Sequence, residues 1–109
     1  MNAIPADAAR RAKMMLVNYP GNPTGATCDL DHYREILAFA EEHDIVVVSD
    51  LAYADLTLED DAPAPSFLEV PGAKKLAVEF YSFSKTYGMA GWRVGFLAGS
   101  AEIRDLLLK

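Results

Sequence analysis

The sequence has few of the features that mark secreted or membrane proteins. Cys28 is its single cysteine, so no internal disulfide can form, and we expect a reducing, cytoplasmic location. No apolar run approaches the roughly 20 residues that span a bilayer. The first 13 residues also lack the continuous apolar core of a signal peptide. These absences predict neither a membrane-spanning nor a secreted protein.

Basic residues are scarce between residues 29 and 61, where eleven acidic residues accompany a single basic one, Arg34. The remaining sequence carries five acidic and nine basic residues, so the two parts contribute −10 and +4 to the net charge of −6. Nucleic-acid binding depends largely on contacts between basic side chains and phosphates. An acidic chain without a basic stripe is therefore predicted to bind a small molecule rather than nucleic acid.

Apolar segments alternate with helical patterns along the chain. With 109 residues, 51% of them hydrophobic and 24% charged, the sequence suits one compact globular domain. Apolar runs predict four strands, at residues 14–19, 45–50, 76–82 and 92–99. Helices are predicted at residues 6–12, after a cap at Asp29 or Asp31, and from residue 101. Continuous apolar strands alternating with helices predict an α/β fold, with a mostly parallel sheet and flanking helices.

Three polar residues of different chemistry follow the ends of the first three predicted strands. Asn22 lies in the loop PGNPTG, where two prolines and two glycines exclude regular structure, and Asp50 and Lys85 follow the next two strands. In open α/β sheets, ligands bind at the carboxyl ends of the strands. If these strands are parallel, the three side chains converge on one crevice.

Lys85 lies among residues that suit an anion. Ser82 and Ser84 supply hydroxyl groups just before it, and Arg93 supplies a planar guanidinium just after it. A lysine beside an anion site is what a phosphate-bearing Schiff-base cofactor requires. The nearby glycines match neither a Walker loop nor a GxGxxG motif, so nucleotide binding is not predicted.

Each of these residues also has a purely structural interpretation. A solvated loop explains Lys85, a cap of the next segment explains Asp50, and a turn before proline explains Asn22. The alternative for Asp50 is a carboxylate that raises the pKa of a protonated ring nitrogen. Tyr53 shares a face with Asp50 if the chain turns helically there, and it is equally explained as a core or rim tyrosine.

Other polar and aromatic residues are given structural interpretations only. His32 and His43 lack metal-ligand spacing and are predicted to be solvated helix positions, so no metal site is predicted. Cys28 is predicted to be an unreactive loop or cap residue. Residues 59–61 are predicted to form a solvated turn, and Trp92 to be a packing anchor.

Three motifs in order resemble the class I/II aminotransferases, fold type I enzymes that use pyridoxal 5′-phosphate (PLP). They are NPTG at 22–25, IVVVSDLAY at 45–53 and SFSKTYGMAGWRVG at 82–95. The string that runs from DLAYADL to EFYSFSK is most similar to the branch that contains LL-diaminopimelate and alanine aminotransferases. The resemblance covers almost the whole chain. Gly88 stands where that branch has asparagine.

The resemblance implies a role for each candidate residue. Lys85 is expected to form the Schiff base with PLP and then to shuttle the substrate proton. Asp50 is expected to pair with the pyridinium nitrogen. Tyr53 and Asn22 are expected to hydrogen-bond the phenolic oxygen of the ring. The cofactor phosphate is expected to be bound by Ser82, Ser84 and Arg93.

The resemblance also implies an activity, which is transamination between an amino acid and a 2-oxo acid by a homodimeric full-length parent. Family members are several times longer, so residues 1–109 are expected to form the central segment of the PLP-binding large domain. An N-terminal segment and a small C-terminal domain would be absent, leaving the chain inactive alone and with exposed apolar surface. A PLP-dependent lyase or decarboxylase and a non-catalytic folding or interaction unit remain alternatives.

Overall fold

The protein forms one four-stranded sheet in a computed structural model that describes residues 1, 3–57 and 63–109. The strands are β1 (Met14–Asn18), β2 (Val46–Asp50), β3 (Ala77–Ser82) and β4 (Gly95–Gly99). They lie in the order β1-β2-β3-β4. The first three are parallel, and β4 runs antiparallel to β3. This arrangement confirms the predicted α/β fold with a mostly parallel sheet. The turn predicted at 59–61 lies outside the described residues.

Helices and short turns connect the strands. The α-helices are α1 (Ala6–Arg11), α2 (Leu30–His43), α3 (Phe83–Thr86) and α4 (Ala101–Leu107). Single turns of 3-10 helix occupy Phe67–Glu69, Ala73–Lys75 and Ala90–Trp92. The three predicted helices are confirmed as α1, α2 and α4, whereas the pattern did not predict the short helix α3. Within the described parts of the chain, no helix combines the length and apolar character needed to cross a membrane.

The long helix α2 begins and ends at residues that favour these positions. The carboxylate of Asp29 accepts a hydrogen bond from the backbone N–H of His32 at 2.8 Å, so the cap is Asp29 and not Asp31. The helix ends at Asp44, which adopts the left-handed conformation with φ 55°. The buried face consists of residues at helical spacing, as predicted, namely Tyr33, Ile36, Leu37 and Ala40.

Most of the core lies on one face of the sheet, although Val78, which points to the other face, is also buried. Val17, Val47 and Ala77 point from neighbouring strands toward α2 and the 3-10 turn at Phe67, and all are buried. On the opposite face Met14 is 61% exposed. This half-covered sheet agrees with the expectation of exposed apolar surface. An exposed apolar surface of this kind predicts self-association of the chain.

A carboxylate is buried within the core face of β3. Glu79 accepts hydrogen bonds from the Ser49 hydroxyl at 2.9 Å, the Ser66 hydroxyl at 2.5 Å and the Phe67 backbone N–H at 2.9 Å. Ser49 lies on β2. The other two donors, Ser66 and Phe67, belong to the crossing segment, which connects β2 to β3. Glu79 therefore attaches that segment to two strands through hydrogen bonds that water cannot easily replace.

The start of the fourth strand differs from the prediction. Trp92, which was predicted to begin the strand, instead ends the 3-10 turn Ala90–Trp92, and β4 begins only at Gly95. The reason is Arg93, whose left-handed φ of 52° turns the chain before the strand can pair. Trp92 is 73% exposed at this turn, so its predicted role as a packing anchor is wrong for this chain.

Candidate active site at the carboxyl edge of the sheet

Three candidate residues from three separate segments meet beyond the carboxyl ends of the parallel strands. The side-chain amide of Asn22 donates a hydrogen bond to the hydroxyl of Tyr53 at 3.1 Å. The Nζ atom of Lys85 lies 5.5 Å from the centroid of the same tyrosine ring. A cation at this distance from an aromatic face is attracted by the ring. Of the three side chains predicted to converge, Asn22 and Lys85 thus approach the same tyrosine ring, whereas no hydrogen bond or salt bridge joins Asp50 to either of them among the described residues.

Asn18, at the end of β1, holds the Asn22 loop to the neighbouring strand. Its side-chain amide donates to the carbonyl oxygen of Asp50 at 2.9 Å, and its side-chain oxygen accepts from the backbone N–H of Asn22 at 3.0 Å. The loop is closed by a hydrogen bond from the Gly25 N–H to the Gly21 carbonyl at 2.7 Å. Sequence reasoning missed Asn18, although a polar residue that ends an apolar strand is a usable signal.

Asp50 lies half-buried at the carboxyl end of β2. One of its carboxylate oxygens accepts a hydrogen bond from the backbone N–H of Ala52 at 3.2 Å. This contact confirms the structural interpretation of Asp50 as a residue that stabilises the following turn. A carboxylate has several acceptor positions, so one local hydrogen bond leaves capacity for a cationic ligand group.

The serine and arginine candidates lie around the short helix α3. Ser82 caps this helix, because its hydroxyl accepts from the backbone N–H of Ser84 at 3.2 Å. The Phe83 N–H donates to the carbonyl of Val94 at 3.2 Å, which places the backbone of Arg93 one residue away. The exposed guanidinium of Arg93 donates to the carbonyl of Ala90 at 3.1 Å. The fold thus brings the hydroxyl and guanidinium segments together, without direct contact between those side chains.

Gly88 adopts a left-handed conformation with φ 63°. Glycine occupies this region freely, and asparagine is one of the few other residues that enters it routinely. Gly88 and the asparagine found at this position in the branch that the sequence resembles can both adopt this left-handed conformation. The difference between them is therefore compatible with the same turn.

Sequence reasoning also missed a cluster of side chains beside the site. The hydroxyls of Tyr81 and Thr86 lie 2.5 Å and 2.6 Å from the same carboxylate oxygen of Asp55. The hydrogen bonds from Thr86 and then Tyr81 lower the pKa of Asp55, and the Asp55 hydrogen bond raises the pKa of Tyr81. No local signal reveals this cluster, because Asp55 is 26 and 31 residues from its two partners.

The two histidines and the cysteine make contacts that are explained by packing and local structure. His32 lies 3.8 Å from the Glu35 carboxylate, and His43 packs against the ring of Phe39 at 4.5 Å. Burial raises the pKa of the Cys28 thiol, which lowers the fraction of reactive thiolate. In the regions that the structure describes, no group of three or more His, Cys, Asp or Glu side chains could hold a metal ion.

Comparison with known proteins finds a matching family model and relatives that belong to that family. The model for "Aminotransferase class I and II" matches residues 1–109. The LL-diaminopimelate aminotransferase of Syntrophobacter fumaroxidans is 52% identical over 94% of this chain, which is 26% of that enzyme. The LL-diaminopimelate aminotransferase of Moorella thermoacetica is 49% identical over 100% of this chain, which is 28% of that enzyme.

Solved structures agree with this result. Substrate-bound BacF from Bacillus subtilis superimposes with a TM-score of 0.88 at 44% identity, covering 95% of this chain and 26% of that one. A probable N-succinyldiaminopimelate aminotransferase from Thermus thermophilus gives 0.88 at 44% identity, covering 94% and 27%. The chain thus spans about a quarter of the length of its relatives. Because the family model covers every residue and the fold matches, the chain belongs to the class I and II aminotransferases, a family whose cofactor is PLP.

Proposed function

We propose that the protein to which this chain contributes transfers an amino group between an amino acid and a 2-oxo acid with PLP. The observation that carries the proposal is the contact between Asn22, Tyr53 and Lys85 at the carboxyl edge of the sheet. This edge is the ligand-binding edge of open α/β sheets. We also propose that residues 1–109 form the central segment of the PLP-binding large domain.

The residues at this edge fit the functional groups of the cofactor ring. An aldehyde requires an amine, which Lys85 provides. A phenolic oxygen requires donors, and Tyr53 and Asn22 already share a hydrogen bond of 3.1 Å. A protonated ring nitrogen requires a carboxylate, which Asp50 provides at the end of β2. The set of one amine, one carboxylate, one phenol and one amide therefore matches the ring group by group.

The residues around α3 fit the phosphate of the cofactor. A phosphate requires hydroxyl and cationic donors, which Ser82, Ser84 and Arg93 provide. The hydrogen bond between Phe83 and Val94 keeps these residues in neighbouring segments. We propose that the Arg93 guanidinium exchanges its exposed hydrogen bond to Ala90 for the phosphate.

The chain's own residues then have distinct tasks in the reaction. When bound, PLP supplies an electron sink that stabilises negative charge at the substrate α-carbon. Lys85 would hold a proton at its Nζ and move it between substrate and cofactor carbons. Tyr53 and Asn22 would orient the ring from one edge, while Asp50 would keep the ring nitrogen charged. Groups held in this way by short loops on a packed sheet need little rearrangement.

The names of the relatives support a proposal for the substrate, whereas the assembly and the location are proposed from the family resemblance and the sequence. Two relatives are named LL-diaminopimelate aminotransferase, so LL-diaminopimelate is the amino donor to test first. We propose a homodimer and a cytoplasmic location for the longer protein, and the single cysteine accords with a reducing compartment. We expect no turnover from the 109 residues alone, because substrate positioning would be incomplete.

A titration of the purified chain with PLP, followed by its visible absorbance, tests the cofactor site. We expect a saturable visible band with the wild-type chain and its loss in Lys85→Ala. The matched control is Lys75→Ala, which changes an exposed lysine on the 3-10 turn Ala73–Lys75. Equal bands from both variants would contradict the proposal and would favour a non-catalytic unit.

A further inference from the structure

Asp55 joins two segments that are far apart in the sequence. One oxygen of its carboxylate lies 2.6 Å from the Thr86 hydroxyl and 2.5 Å from the Tyr81 hydroxyl. The Tyr81 hydroxyl also lies 2.9 Å from the Thr86 hydroxyl oxygen, so its one proton is shared between two acceptors. Charge-assisted hydrogen bonds of this kind are shorter and stronger than neutral ones.

Every member of the cluster lies within two residues of a candidate cofactor residue. Asp55 follows Tyr53 by two residues, Thr86 directly follows Lys85, and Tyr81 directly precedes a proposed phosphate ligand. A displacement within the cluster is therefore transmitted to the site through one or two residues of backbone.

We propose that Asp55 is a positioning residue that clamps the Tyr53 segment to the Lys85 segment and thereby fixes the approach of the lysine amine to the cofactor. This inference rests on the proposed function of the site. Asp55 itself does not contact the cofactor groups, and it acts through Thr86 and Tyr81. Its effect arises from preorganisation, since a site held in its binding geometry loses less freedom when the ligand binds.

The backbone contacts between the two segments explain why a side-chain clamp is needed. The Leu51 N–H donates to the Phe80 carbonyl at 2.9 Å, which ties only the start of the Tyr53 segment to β3. Helix α3 has four residues, and a helix of that length is marginal without outside contacts. The Asp55 carboxylate bonds to the last residue of this helix, Thr86, and so stabilises the end that follows Lys85.

The experiment compares Asp55→Ala with the conservative variant Asp55→Asn in the full 109-residue chain. Asparagine keeps an oxygen that accepts the two hydroxyl hydrogen bonds, whereas alanine removes it. The matched control is Asp7→Ala, which removes an exposed carboxylate of α1. Two quantities are measured, the PLP dissociation constant from the visible band and, without PLP, hydrogen exchange of the amides at residues 84–88.

We expect Asp55→Ala to weaken PLP binding by about threefold to tenfold, because the exposed hydrogen bonds compete with water. The dissociation constant of Asp55→Asn should lie within about twofold of the wild-type value, and that of Asp7→Ala should equal the wild-type value. Exchange at residues 84–88 should become severalfold faster in Asp55→Ala, while exchange in α2 should not change.

The outcomes separate this proposal from the proposed function. A wild-type chain without a visible band contradicts the cofactor site, and hydrogen exchange alone then decides whether Asp55 clamps the segments. A wild-type band with equal affinity and equal exchange in Asp55→Ala overturns the clamp and leaves the cofactor site intact. Faster exchange throughout the chain in Asp55→Ala, without rescue by Asp55→Asn, also overturns it, since that pattern reports general destabilisation.

Discussion

Replacement of the buried carboxylate of Glu79 tests how the core supports the sheet edge. The side chain lies 6% exposed and accepts three hydrogen bonds. Two of its donors, the Ser49 hydroxyl and the Phe67 N–H, belong to residues that are 1% and 0% exposed. Because water cannot reach these donors, removal of their acceptor should be costly. We therefore compare Glu79→Leu and Glu79→Gln.

The expected magnitudes follow from the loss of acceptors. A buried donor left without a partner costs about 1–3 kcal/mol. For Glu79→Leu, two such donors cost about 2–6 kcal/mol, and burial of the leucine side chain returns about 1.5–3 kcal/mol. The central values of these ranges leave a net loss of about 2 kcal/mol in the free energy of unfolding. Glu79→Gln keeps one acceptor oxygen for the Phe67 N–H, so its loss should be about 1–2 kcal/mol.

Urea unfolding followed by far-ultraviolet circular dichroism measures these losses. Tryptophan fluorescence is a poor probe here, because Trp92 is 73% exposed in the folded chain. The matched control is Glu42→Gln, an exposed position of α2 where we expect a change within about 0.5 kcal/mol. No loss of stability in Glu79→Leu would refute the reasoning, since it would mean that the donors find other partners.

Three further predictions concern single positions. Gly99→Ala would place a Cβ atom 2.3 Å from the Ala77 carbonyl oxygen at φ 132°, so we expect a loss of more than about 2 kcal/mol in urea unfolding. Gly91→Ala meets nothing within 4 Å and should change stability little; equal effects of the two would contradict the geometry. The Tyr33 hydroxyl is buried without a partner among the described residues, and burial raises its pKa, so Tyr33→Phe should leave the urea midpoint unchanged or raise it. A lower midpoint would indicate a hydrogen bond to that hydroxyl. The lowered pKa of Asp55 stabilises the fold above its unfolded value near 3.9, and this contribution is lost as pH falls through the folded pKa. The urea midpoint of wild type should therefore fall more steeply below about pH 4 than that of Asp55→Asn, and parallel curves would contradict the hydrogen bonds.

Local patterns were sufficient to predict the four strands and the helices α1, α2 and α4, but not the short helix α3. The apolar runs placed β1, β2 and β3 within one residue at each end. The start of β4 was wrong by three residues, because the left-handed conformation of Arg93 depends on the turn around it and not on hydrophobicity. The rule that ligands bind at the carboxyl ends of parallel strands correctly predicted that the loops of Asn22 and Lys85 would approach each other, and both side chains lie against Tyr53.

Contacts between distant side chains were beyond sequence reasoning. The bonds from Glu79 to Ser49 and Ser66 join residues 30 and 13 positions apart, and they exist only once the crossing segment has packed on the sheet. The Asp55 cluster likewise depends on how two loops close against each other. A charged residue inside an apolar strand was the available signal for Glu79, whereas Asp55 had none.

The measurement that tests the central claim most directly is peptide mapping of the chain after PLP is added and reduced with borohydride. The site predicts one pyridoxyl group on Lys85, the lysine that lies 5.5 Å from the Tyr53 ring. The other lysines, at positions 13, 74, 75 and 109, should carry little label. Label spread evenly over all five lysines, or none on Lys85, would contradict the claim that this segment builds the cofactor site.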